Sequence, residues 1–359
     1  MIKYLGSKRT LLPVIAGVVE RFEGATSVLD LFSGTSRVGH TLKQAGYRVI
    51  ANDHNAYAAT LARCYVQADR EDVAADAERL LGEFARLPGR AGYFTETFCR
   101  QSRFIHPRNG ERIDAIRDAI AAKGLDPELE SVVLVSLMEA ADRVDSTCGV
   151  QMAYLKHWAA RARNDLQLRM PAVLPRARHG KGQATQLDVF AALERFEADI
   201  VYLDPPYNQH SYLNNYHVWE TLICWDRPEV YGIACKRTDC RTRKSPFNRK
   251  STFFPTLERM IREVRGKVLL LSLSNEGYAT RASIEPLLRS RGEVSVLSSE
   301  YPRYVGAKIG IYNPAGEKVG QVSHVRNVEY VYVVRTPAAP ELERGGESPR
   351  DRACAERNG

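Results

Sequence analysis

Hydrophobic positions in the first sixty residues follow two different periods, which predicts alternating helices and strands. Residues 8–22 place apolar side chains every three or four positions, the spacing of one helix face. Apolar runs at 27–32 and 47–52 predict buried strands, and a helix is predicted between them at 37–45. A strand, a helix and a strand at this spacing form a right-handed parallel unit. The chain is therefore predicted to begin an α/β sheet.

The middle of the chain carries helical patterns, and the alternation of strands and helices returns after it. Within residues 58–183, apolar positions at helical spacing predict helices at 69–87, 110–123 and 127–143. The elements predicted beyond this region are strands at 199–203, 267–273, 293–298 and 329–334 and helices at 216–224, 255–264 and 280–289.

These elements predict one parallel-sheet α/β domain that is interrupted by a helical insertion. The sheet domain comprises residues 1–57 and 184–336, and the insertion comprises residues 58–183. The final residues, 337–359, are rich in Pro, Gly, Glu and Arg and nearly lack large apolar side chains. Such a segment cannot bury enough apolar surface to fold, so this tail is predicted to be disordered.

Composition narrows the class of protein. Of the 359 residues, 44% are hydrophobic and 26% are charged, as in a soluble globular protein. No apolar run approaches the ~18 residues of a membrane span, and the first residues lack the apolar core of a signal peptide. Seven scattered cysteines are expected to be reduced thiols. We therefore expect a cytoplasmic protein without a membrane partner.

Positive charge is concentrated in two stretches of a chain whose net charge is +8. The basic residues of the first stretch, 236–250, are Lys236, Arg237, Arg241, Arg243, Lys244, Arg249 and Lys250, against the single acid Asp239. The second stretch, 166–187, contains no acid, and its arginines are Arg169, Arg176 and Arg178. A polyanionic partner would explain both stretches. A solvated charged loop would explain them too.

The first candidate site is the turn between the first strand and its helix, residues 30–39. Ligands of parallel sheets bind at the carboxyl ends of strands, and Gly34 permits close approach to the backbone. The segment lacks the extra glycines or the Lys-Ser/Thr pair of a phosphate cradle, and its leading Asp30 suits a cationic ligand. A tight turn in any α/β fold explains the same residues equally well.

A second candidate is Asp53, which directly follows the second predicted strand and lies 19 residues after Gly34. A carboxylate at this position can accept hydrogen bonds from both ribose hydroxyls of a nucleoside. Asp is also a common helix N-cap, which would explain the residue without a ligand. The spacing favours the nucleoside interpretation.

The sharpest signal is Asp204-Pro205-Pro206-Tyr207, at the end of the strand predicted at 199–203. An aromatic amine is a poor nucleophile because its lone pair is shared with the ring. The Asp204 carboxylate and a main-chain carbonyl of the prolines would draw the amine hydrogens out of plane and localise the lone pair. The prolines stiffen the turn, and Tyr207 can stack on a base. A proline turn after a strand is the structural alternative.

Taken in order, these segments resemble the alpha class of S-adenosylmethionine-dependent DNA adenine methyltransferases, the Dam-like family. The segments that carry the resemblance are 3–8, 30–39, 51–53 and 204–207, with further similarity at 149–156, 214–217 and 271–277. The cofactor turn precedes the tetrapeptide, and a long insertion separates them, which distinguishes this class from other amino-methylating classes. Ser36 departs from the family, which has glycine at this position of Phe-x-Gly-x-Gly.

The resemblance implies a Rossmann-like class I methyltransferase sheet with a mostly helical target-recognition insertion, and S-adenosyl-L-methionine as cofactor. The cofactor-binding residues that it implies are Tyr4, Lys8, Asp30, Phe32, Gly34, Asp53, Asp188 and Asp204. Asp53 would hold the ribose, Asp188 the adenine amine of the cofactor, and Asp204 would lie near both cofactor and target. The implied catalytic residues are Asp204, Pro205, Pro206 and Tyr207.

With this resemblance, the two basic stretches are predicted to contact DNA phosphates, because both are expected to flank the active face. No metal is expected. Cys235, Cys240, Cys224, His210 and His217 lie near one another in sequence, but no second cysteine pair completes a zinc site. His217 is expected to pack beside the catalytic turn.

The predicted function is methylation of the exocyclic amine of adenine in double-stranded DNA, within a restriction-modification or host DNA-marking system. We expect a monomer, with a companion restriction endonuclease acting separately where one exists. Two enzymatic alternatives stay open, a cytosine-N4 methyltransferase and an RNA amino-methyltransferase, because the tetrapeptide serves any such amine. A non-catalytic DNA-binding regulator with the same fold is the third alternative.

Overall fold

The computed structural model describes residues 1–6, 8–302, 311–312, 318–320 and 326–337. The tail predicted to be disordered, 337–359, lies outside the described residues except for its first position. In the part of the chain that the structure describes, no helix combines the length and the apolar character needed to cross a membrane.

Most strands of the described chain belong to one sheet. The strands are β1 (Ser27–Asp30), β2 (Arg48–Asn52), β3 (Gln183–Thr185), β4 (Ile200–Leu203), β5 (Val230–Tyr231), β6 (Lys236–Arg237), β7 (Val268–Ser274), β8 (Glu293–Pro302), β9 (Ile311–Tyr312), β10 (Lys318–Gly320) and β11 (Arg326–Arg335). β5 and β6 form a separate antiparallel hairpin, as do β9 and β10.

The helices fall into a group on the sheet and a group apart from it. The helices are α1 (Leu12–Val19), α2 (Arg37–Gln44), α3 (Ala56–Ala62), α4 (Arg70–Ala85), α5 (Tyr93–Thr95), α6 (Pro107–Lys123), α7 (Pro127–Arg143), α8 (Val189–Arg195), α9 (Tyr212–Asn215), α10 (His217–Cys224), α11 (Lys250–Glu263) and α12 (Arg281–Arg289).

The main sheet has the strand order β3-β2-β1-β4-β7-β11-β8. β3, β2, β1, β4 and β7 pair in parallel, and β11 lies antiparallel between β7 and β8. This mostly parallel sheet confirms the predicted α/β class. From β1 the chain continues to β2 on one side, while β4 pairs with β1 on the other side. Such a switch point opens a crevice at the carboxyl ends of the strands.

Alternate side chains of the strands build one apolar layer on each face of the sheet. Val28 and Leu270 point to the layer that includes residues of α1 and α2. Leu29 and Leu271 point to the opposite layer, which includes residues of α8, α11 and α12. Successive strand residues face opposite sides, so a run of apolar residues fills both layers. Two buried faces hold the strand ends, and therefore the site, in fixed positions.

A third apolar core joins the helical part of the chain to the segment that follows the tetrapeptide. It contains residues of α4, α6 and α7 together with Tyr216, Trp219 and Leu222, from α10 and its start. Ile2 and Tyr57 are buried in the same core. The helical layer therefore packs directly on the chain that follows the turn at residues 204–207, and not only on its own sequence neighbours.

The predicted helix at 127–143 and the strands at 199–203 and 267–273 are confirmed to within one residue. The helix predicted at 8–22 is shorter, because a 3₁₀ turn at Lys8–Thr10 precedes α1. Pro13 occupies the first turn of α1, a position where the missing N–H costs no hydrogen bond.

The helix predicted at 255–264 begins five residues earlier, so Pro255 lies inside α11. Phe253 is completely buried on this helix and contacts Phe247 edge to face at 6.3 Å between ring centroids. We attribute the early start to this burial, which offsets the backbone hydrogen bond that proline removes. α3, α8, β3 and the β5–β6 hairpin were not predicted, because each is short and without a clear period.

Candidate active site

One pocket lies at the carboxyl edge of the parallel strands. Asp30 ends β1, Asp53 follows β2 and Asp204 follows β4, and all three line this pocket. Tyr4 and Lys8 reach it from the N-terminal segment. Strands that end at one edge bring residues together that lie far apart in sequence, and this convergence creates the site.

The turn after β1 is held by Asp53. Its Oδ2 accepts a hydrogen bond from the Gly34 N–H at 3.0 Å, and its Oδ1 accepts one from the Asn55 N–H at 2.9 Å. Gly34 has φ +50°, in the left-handed region that favours glycine. Tyr4 lies close by, because a Cβ added to Gly34 would be 3.5 Å from its ring. Asp53 thus shapes the turn and faces the pocket.

Ser36 takes the left-handed conformation in which the family has glycine. Its φ is 59° and its ψ is 21°, the side chain is completely buried, and its hydroxyl has no hydrogen-bond partner among the described residues. A side chain in this conformation costs about 1–2 kcal/mol. The backbone conformation therefore explains why the family has glycine here, and this chain keeps the same turn with a strained serine.

Asp30 is a buried carboxyl group that lacks a hydrogen-bond partner. It is 1% exposed, and neither oxygen is hydrogen-bonded among the described residues. Burial, together with the nearby carboxylates of Asp204 and Asp53, raises the pKa of Asp30 to about 8. An unpartnered acid facing a pocket with other acids fits a cationic ligand. S-adenosylmethionine carries both a sulfonium and an ammonium group, so the residues fit this cofactor.

Asp204 belongs to a buried cluster of charges. Lys8 Nζ lies 3.0 Å from Asp204 Oδ1 and also contacts Glu329 Oε1. Ser272 Oγ donates a hydrogen bond to the same Glu329 oxygen at 3.2 Å. The pKa of Asp204 is raised to about 6, because burial and the neighbouring Glu329 raise it more than Lys8 lowers it. One ammonium group therefore serves two carboxylates.

Glu329 was not predicted as a site residue. It lies in β11, whose neighbouring positions are apolar or aromatic, and it is 4% exposed. A charged residue in such a run is expensive to bury without a partner. This exception to the apolar pattern is the only signal that could have identified Glu329 from the sequence.

The rest of the tetrapeptide is held by burial and by a main-chain hydrogen bond. Pro205 is buried, and Pro206 lines the pocket. The main-chain oxygen of Tyr207 accepts a hydrogen bond from the Tyr278 N–H at 2.9 Å. The Tyr207 ring is half-buried, and Lys8 Nζ lies 5.8 Å from its centroid. The turn is therefore rigid, while one part of the tyrosine ring stays accessible.

Tyr4 lies between two rings that the sequence did not indicate as site residues. It stacks on Tyr212 at 5.2 Å and on Tyr216 at 4.6 Å between ring centroids. Its hydroxyl lies 3.2 Å from the hydroxyl of Tyr57. The Tyr216 hydroxyl also accepts a hydrogen bond from the Leu5 N–H at 2.6 Å. The N-terminal segment is thereby attached to the chain that follows the tetrapeptide, which brings Lys8 to Asp204.

Phe32 and Asp188 lie on the wall of the same pocket. The Phe32 ring meets Phe247 edge to face at 5.5 Å. Asp188 is exposed and caps α8, with Oδ1 accepting a hydrogen bond from the Phe190 N–H at 2.9 Å. The structure thus brings every predicted cofactor-binding residue to one pocket.

The first basic stretch divides into internal and exposed charges. Arg237 is 4% exposed and donates two hydrogen bonds to Asp226, so this residue does not face a partner as predicted. Arg243 is bound to Glu220 at 3.0 Å and to Asp239 at 3.1 Å. The exposed residues of this stretch are Arg241, Lys244, Arg249 and Lys250, and Lys236 is half-exposed.

Two arginines of the second basic stretch, Arg176 and Arg178, are not placed for the predicted contact with DNA. Arg176 forms ion pairs with Asp69 at 2.7 Å and Asp72 at 3.0 Å. Arg178 lies beside Gly46, after α2, at the edge where β2 begins and therefore opposite the pocket. Arg178 therefore does not flank the active face as expected, because the chain enters β3 from that opposite edge. Arg169 is exposed on the helical part, beside Ser136.

His217 is a core residue and not part of a metal site. It is completely buried, its ring packs against Phe98 and Phe104, and its Nε2 lies 3.0 Å from the Gln151 carbonyl oxygen. Burial lowers the pKa of His217 to about 3. Among the described residues, no group of three or more His, Cys, Asp or Glu side chains is arranged to hold a metal.

The sheet order and the carboxyl groups of the pocket at its edge fit a methyltransferase that uses S-adenosylmethionine. Residues 4–258 match the model of the D12 class N6 adenine-specific DNA methyltransferases, and the chain belongs to that family.

Three relatives illustrate the range of the family. Type II methyltransferase M.NlaIII from Neisseria lactamica is 29% identical, over 90% of this chain and 98% of the relative. Modification methylase StsI from Streptococcus sanguinis is 28% identical, over 84% of this chain and 49% of the relative. Type II methyltransferase M.FokI from Planomicrobium okeanokoites is 29% identical, over 81% and 47%. The chain therefore spans nearly all of the first relative and about half of the other two.

We predict that Ser36→Gly stabilises the protein, because glycine adopts φ 59° without strain. The expected gain is roughly 1 kcal/mol, after subtraction of the extra entropy of glycine in the unfolded chain. Ser36→Ala is the matched control, since it removes the hydroxyl and keeps the strain. Denaturant unfolding should rank Ser36→Gly above Ser36→Ala, and equal stabilities would assign the effect to the hydroxyl.

We also predict that affinity for S-adenosylmethionine rises with pH. The pKa of Asp30 is raised to about 8, so its carboxyl is protonated at lower pH and cannot pair with a cation. Binding should tighten by up to about tenfold per pH unit below this value and level off above it. Calorimetry at pH 7 should detect release of about one proton per binding event. Asp30→Asn should remove most of the slope, and an unchanged slope would contradict the role of Asp30.

Proposed function

We propose that this protein is a site-specific DNA methyltransferase that methylates the exocyclic amine of adenine in double-stranded DNA. The observation that carries the proposal is the position of Asp204, whose carboxylate stands in the wall of a pocket fit for a sulfonium cofactor. Its Oδ1 is engaged by Lys8. No hydrogen bond within the described residues occupies its Oδ2, which leaves an acceptor for an amine.

We assign the cofactor to the pocket at the carboxyl edge of the sheet. Asp30 would pair with the cationic part of the cofactor, and Asp53 would accept hydrogen bonds from the ribose. Asp188 would accept the adenine amine at the far end. The bound cofactor supplies a methyl group on a positively charged sulfur. Tyr4 closes the pocket over Gly34, where its ring would meet any added Cβ at 3.5 Å.

The tetrapeptide would activate the target amine through hydrogen bonds alone. Asp204 Oδ2 and the carbonyl oxygen of Pro205 or Pro206 would each accept one amine hydrogen, which turns the nitrogen lone pair toward the methyl group. The prolines donate no hydrogen bond of their own and hold the turn stiff. Positioning and preorganised acceptors supply the catalysis. The Tyr207 ring would stack on a base that has been turned out of the duplex.

The DNA would lie over the exposed part of the first basic stretch. Arg241, Lys244, Arg249 and Lys250 are exposed, and Lys244 lines the pocket itself. Phe247 and Asn248 anchor this stretch, because Phe247 packs on Phe32 and Asn248 Nδ2 donates to the Asn208 carbonyl oxygen at 2.8 Å. Phosphate contacts in this region would place the target base beside Asp204.

The remaining assignments follow the family and the relatives. The relatives include type II methyltransferases, so we propose a role in a restriction-modification system, with any endonuclease acting separately. We propose that residues 58–183 read the target sequence, that residues 1–57 and 184–336 form the catalytic domain, and that the protein works as a monomer in the cytoplasm. The long connection between cofactor turn and tetrapeptide supports this division.

We predict that Asp204→Asn abolishes methyl transfer while the protein stays folded. The amide keeps the shape of the side chain but loses the charge that draws on the amine, and loss of one oriented acceptor costs about 100-fold or more. Incorporation of labelled methyl into a DNA duplex measures the effect. Glu293→Gln is the control, because Glu293 lies outside residues 58–183 and is 80% exposed. Asp204→Asn activity within a few-fold of wild type would remove Asp204 from the mechanism.

We predict that alanine at Arg241, Lys244 and Arg249 weakens binding to all duplexes alike. The slope of log affinity against log salt concentration should become shallower by about 0.9 for each phosphate that these side chains no longer neutralise.

The matched control replaces three exposed arginines at the opposite edge of the sheet, Arg21, Arg48 and Arg195. It removes the same charge and should leave the salt dependence unchanged. Equal effects of the two triple variants would show that net charge alone, and not the location of the basic stretch, determines binding.

A further inference from the structure

We propose that Glu329 is a positioning residue for methyl transfer, which holds Lys8 so that the ammonium engages only one oxygen of Asp204. The inference rests on the catalytic role proposed for Asp204. Glu329 lies outside the residues matched by the family model, which end at 258. Neither the tetrapeptide nor the cofactor turn contains it.

The three charged groups come from separate parts of the fold. Asp204 follows β4, Glu329 lies in β11 two strands away, and Lys8 precedes α1. Lys8 Nζ contacts Glu329 Oε1 and lies 3.0 Å from Asp204 Oδ1. Ser272, on the intervening β7, donates to the same Glu329 oxygen at 3.2 Å. The backbone of Glu329 is therefore held in β11, and its carboxylate is held by the Ser272 hydroxyl.

Two carboxylates contact the one ammonium group of Lys8, which is 7% exposed, while Glu329 is 4% exposed. Burying ionised groups costs stability compared with apolar residues of similar size. A purely structural contact between Lys8 and Asp204 would not need the second acid. Glu329 is needed if the negative charge of Asp204 must stay available to accept a hydrogen bond from the target amine.

Glu329 does two things for the proposed reaction. It holds the end of a long, flexible lysine side chain on a strand of the sheet, so the ammonium cannot move across both oxygens of Asp204. It also takes part of the positive charge of Lys8, so Asp204 remains a strong acceptor for an amine that becomes positively charged as it is methylated. Rigid support of a reactive group by its neighbours is what precise positioning requires.

The ionisation behaviour of the cluster agrees with this role. Burial lowers the pKa of Lys8, but Asp204 and Glu329 outweigh it and raise this pKa well above its usual value, so the lysine stays charged. Glu329 raises the pKa of Asp204 and Lys8 lowers it, which means that the two neighbours adjust the carboxylate in opposite directions.

The test replaces Glu329 with glutamine, which keeps the shape and removes the charge. Turnover at saturating cofactor and DNA should fall about tenfold or more, as for the loss of an oriented electrostatic partner. The dissociation constants for S-adenosylmethionine and for duplex DNA should stay within about threefold of wild type, because Glu329 lines neither surface. Glu293→Gln is the matched control, since this glutamate is 80% exposed and pairs with Arg335 at the other end of β11.

A double-variant cycle separates positioning through Lys8 from an independent effect. In a Lys8→Met background, Glu329→Gln should change turnover less than twofold, because the ammonium that Glu329 positions is gone and only its direct electrostatic effect on Asp204 remains. Multiplicative losses in the double variant would overturn the inference. If Glu329→Gln does not fold, Glu329→Asp replaces it, since the shortened carboxylate withdraws from Lys8 and turnover must still fall at least threefold with both affinities retained.

Two outcomes distinguish this inference from the proposed function. Wild-type turnover in Glu329→Gln, together with an inactive Asp204→Asn, overturns the role of Glu329 and leaves the role of Asp204 intact. An active Asp204→Asn removes the proposed function itself. A Glu329→Gln variant that loses melting temperature and both affinities along with turnover is a structural variant, and that result also overturns the inference.

Discussion

Three carboxyl groups brought together at the carboxyl edge of the sheet are the constraint on which the site depends. Asp30, Asp53 and Asp204 converge on one pocket, and Lys8 pairs with Asp204 at 3.0 Å. Asp30 has no hydrogen-bond partner among the described residues, and burial raises its pKa to about 8. Burying such a carboxyl group without a partner is costly to the folded protein. A cation relieves this cost, which is why a cofactor with a sulfonium group fits this pocket.

The fold maintains this arrangement through rigid surroundings. The strands that carry Asp30 and Asp204 are buried on both faces, and Tyr4 is held between Tyr212 and Tyr216. The left-handed turn at Ser36 is strained, and the strain stays because the turn must bring backbone to the ligand. The strained turn thus lowers the stability of the folded protein at this edge, and the apolar layers on the two faces of the sheet offset that cost.

The sequence predicted the residues of the pocket better than it predicted which charged residues lie on the surface. Asp30, Asp53 and Asp204 could be assigned because each directly follows an apolar run, and parallel strands end at one edge. Glu329 could not be assigned, because its partners Lys8 and Asp204 come from segments more than a hundred residues away in the chain. Strand pairing brings them together, and no local pattern records that pairing.

Surface charges were predicted least well. Arg237 and Arg176 were expected to face DNA, yet both pair with acids of the same protein. A basic stretch shows that cations are close in sequence but not which of them remain exposed. Strand and helix positions were predicted where periods were long, and short elements such as β3 and α8 were not. Their three and seven residues carry too little pattern.

We propose that the pocket and the tetrapeptide together methylate the amine of adenine in DNA. The most direct measurement incubates the protein with duplex DNA and S-adenosylmethionine labelled on its methyl group, then digests the DNA to nucleosides and separates them by mass. We expect the label in N6-methyladenine alone. Label in N4-methylcytosine, or DNA that stays unlabelled while the cofactor binds normally, would overturn the proposal.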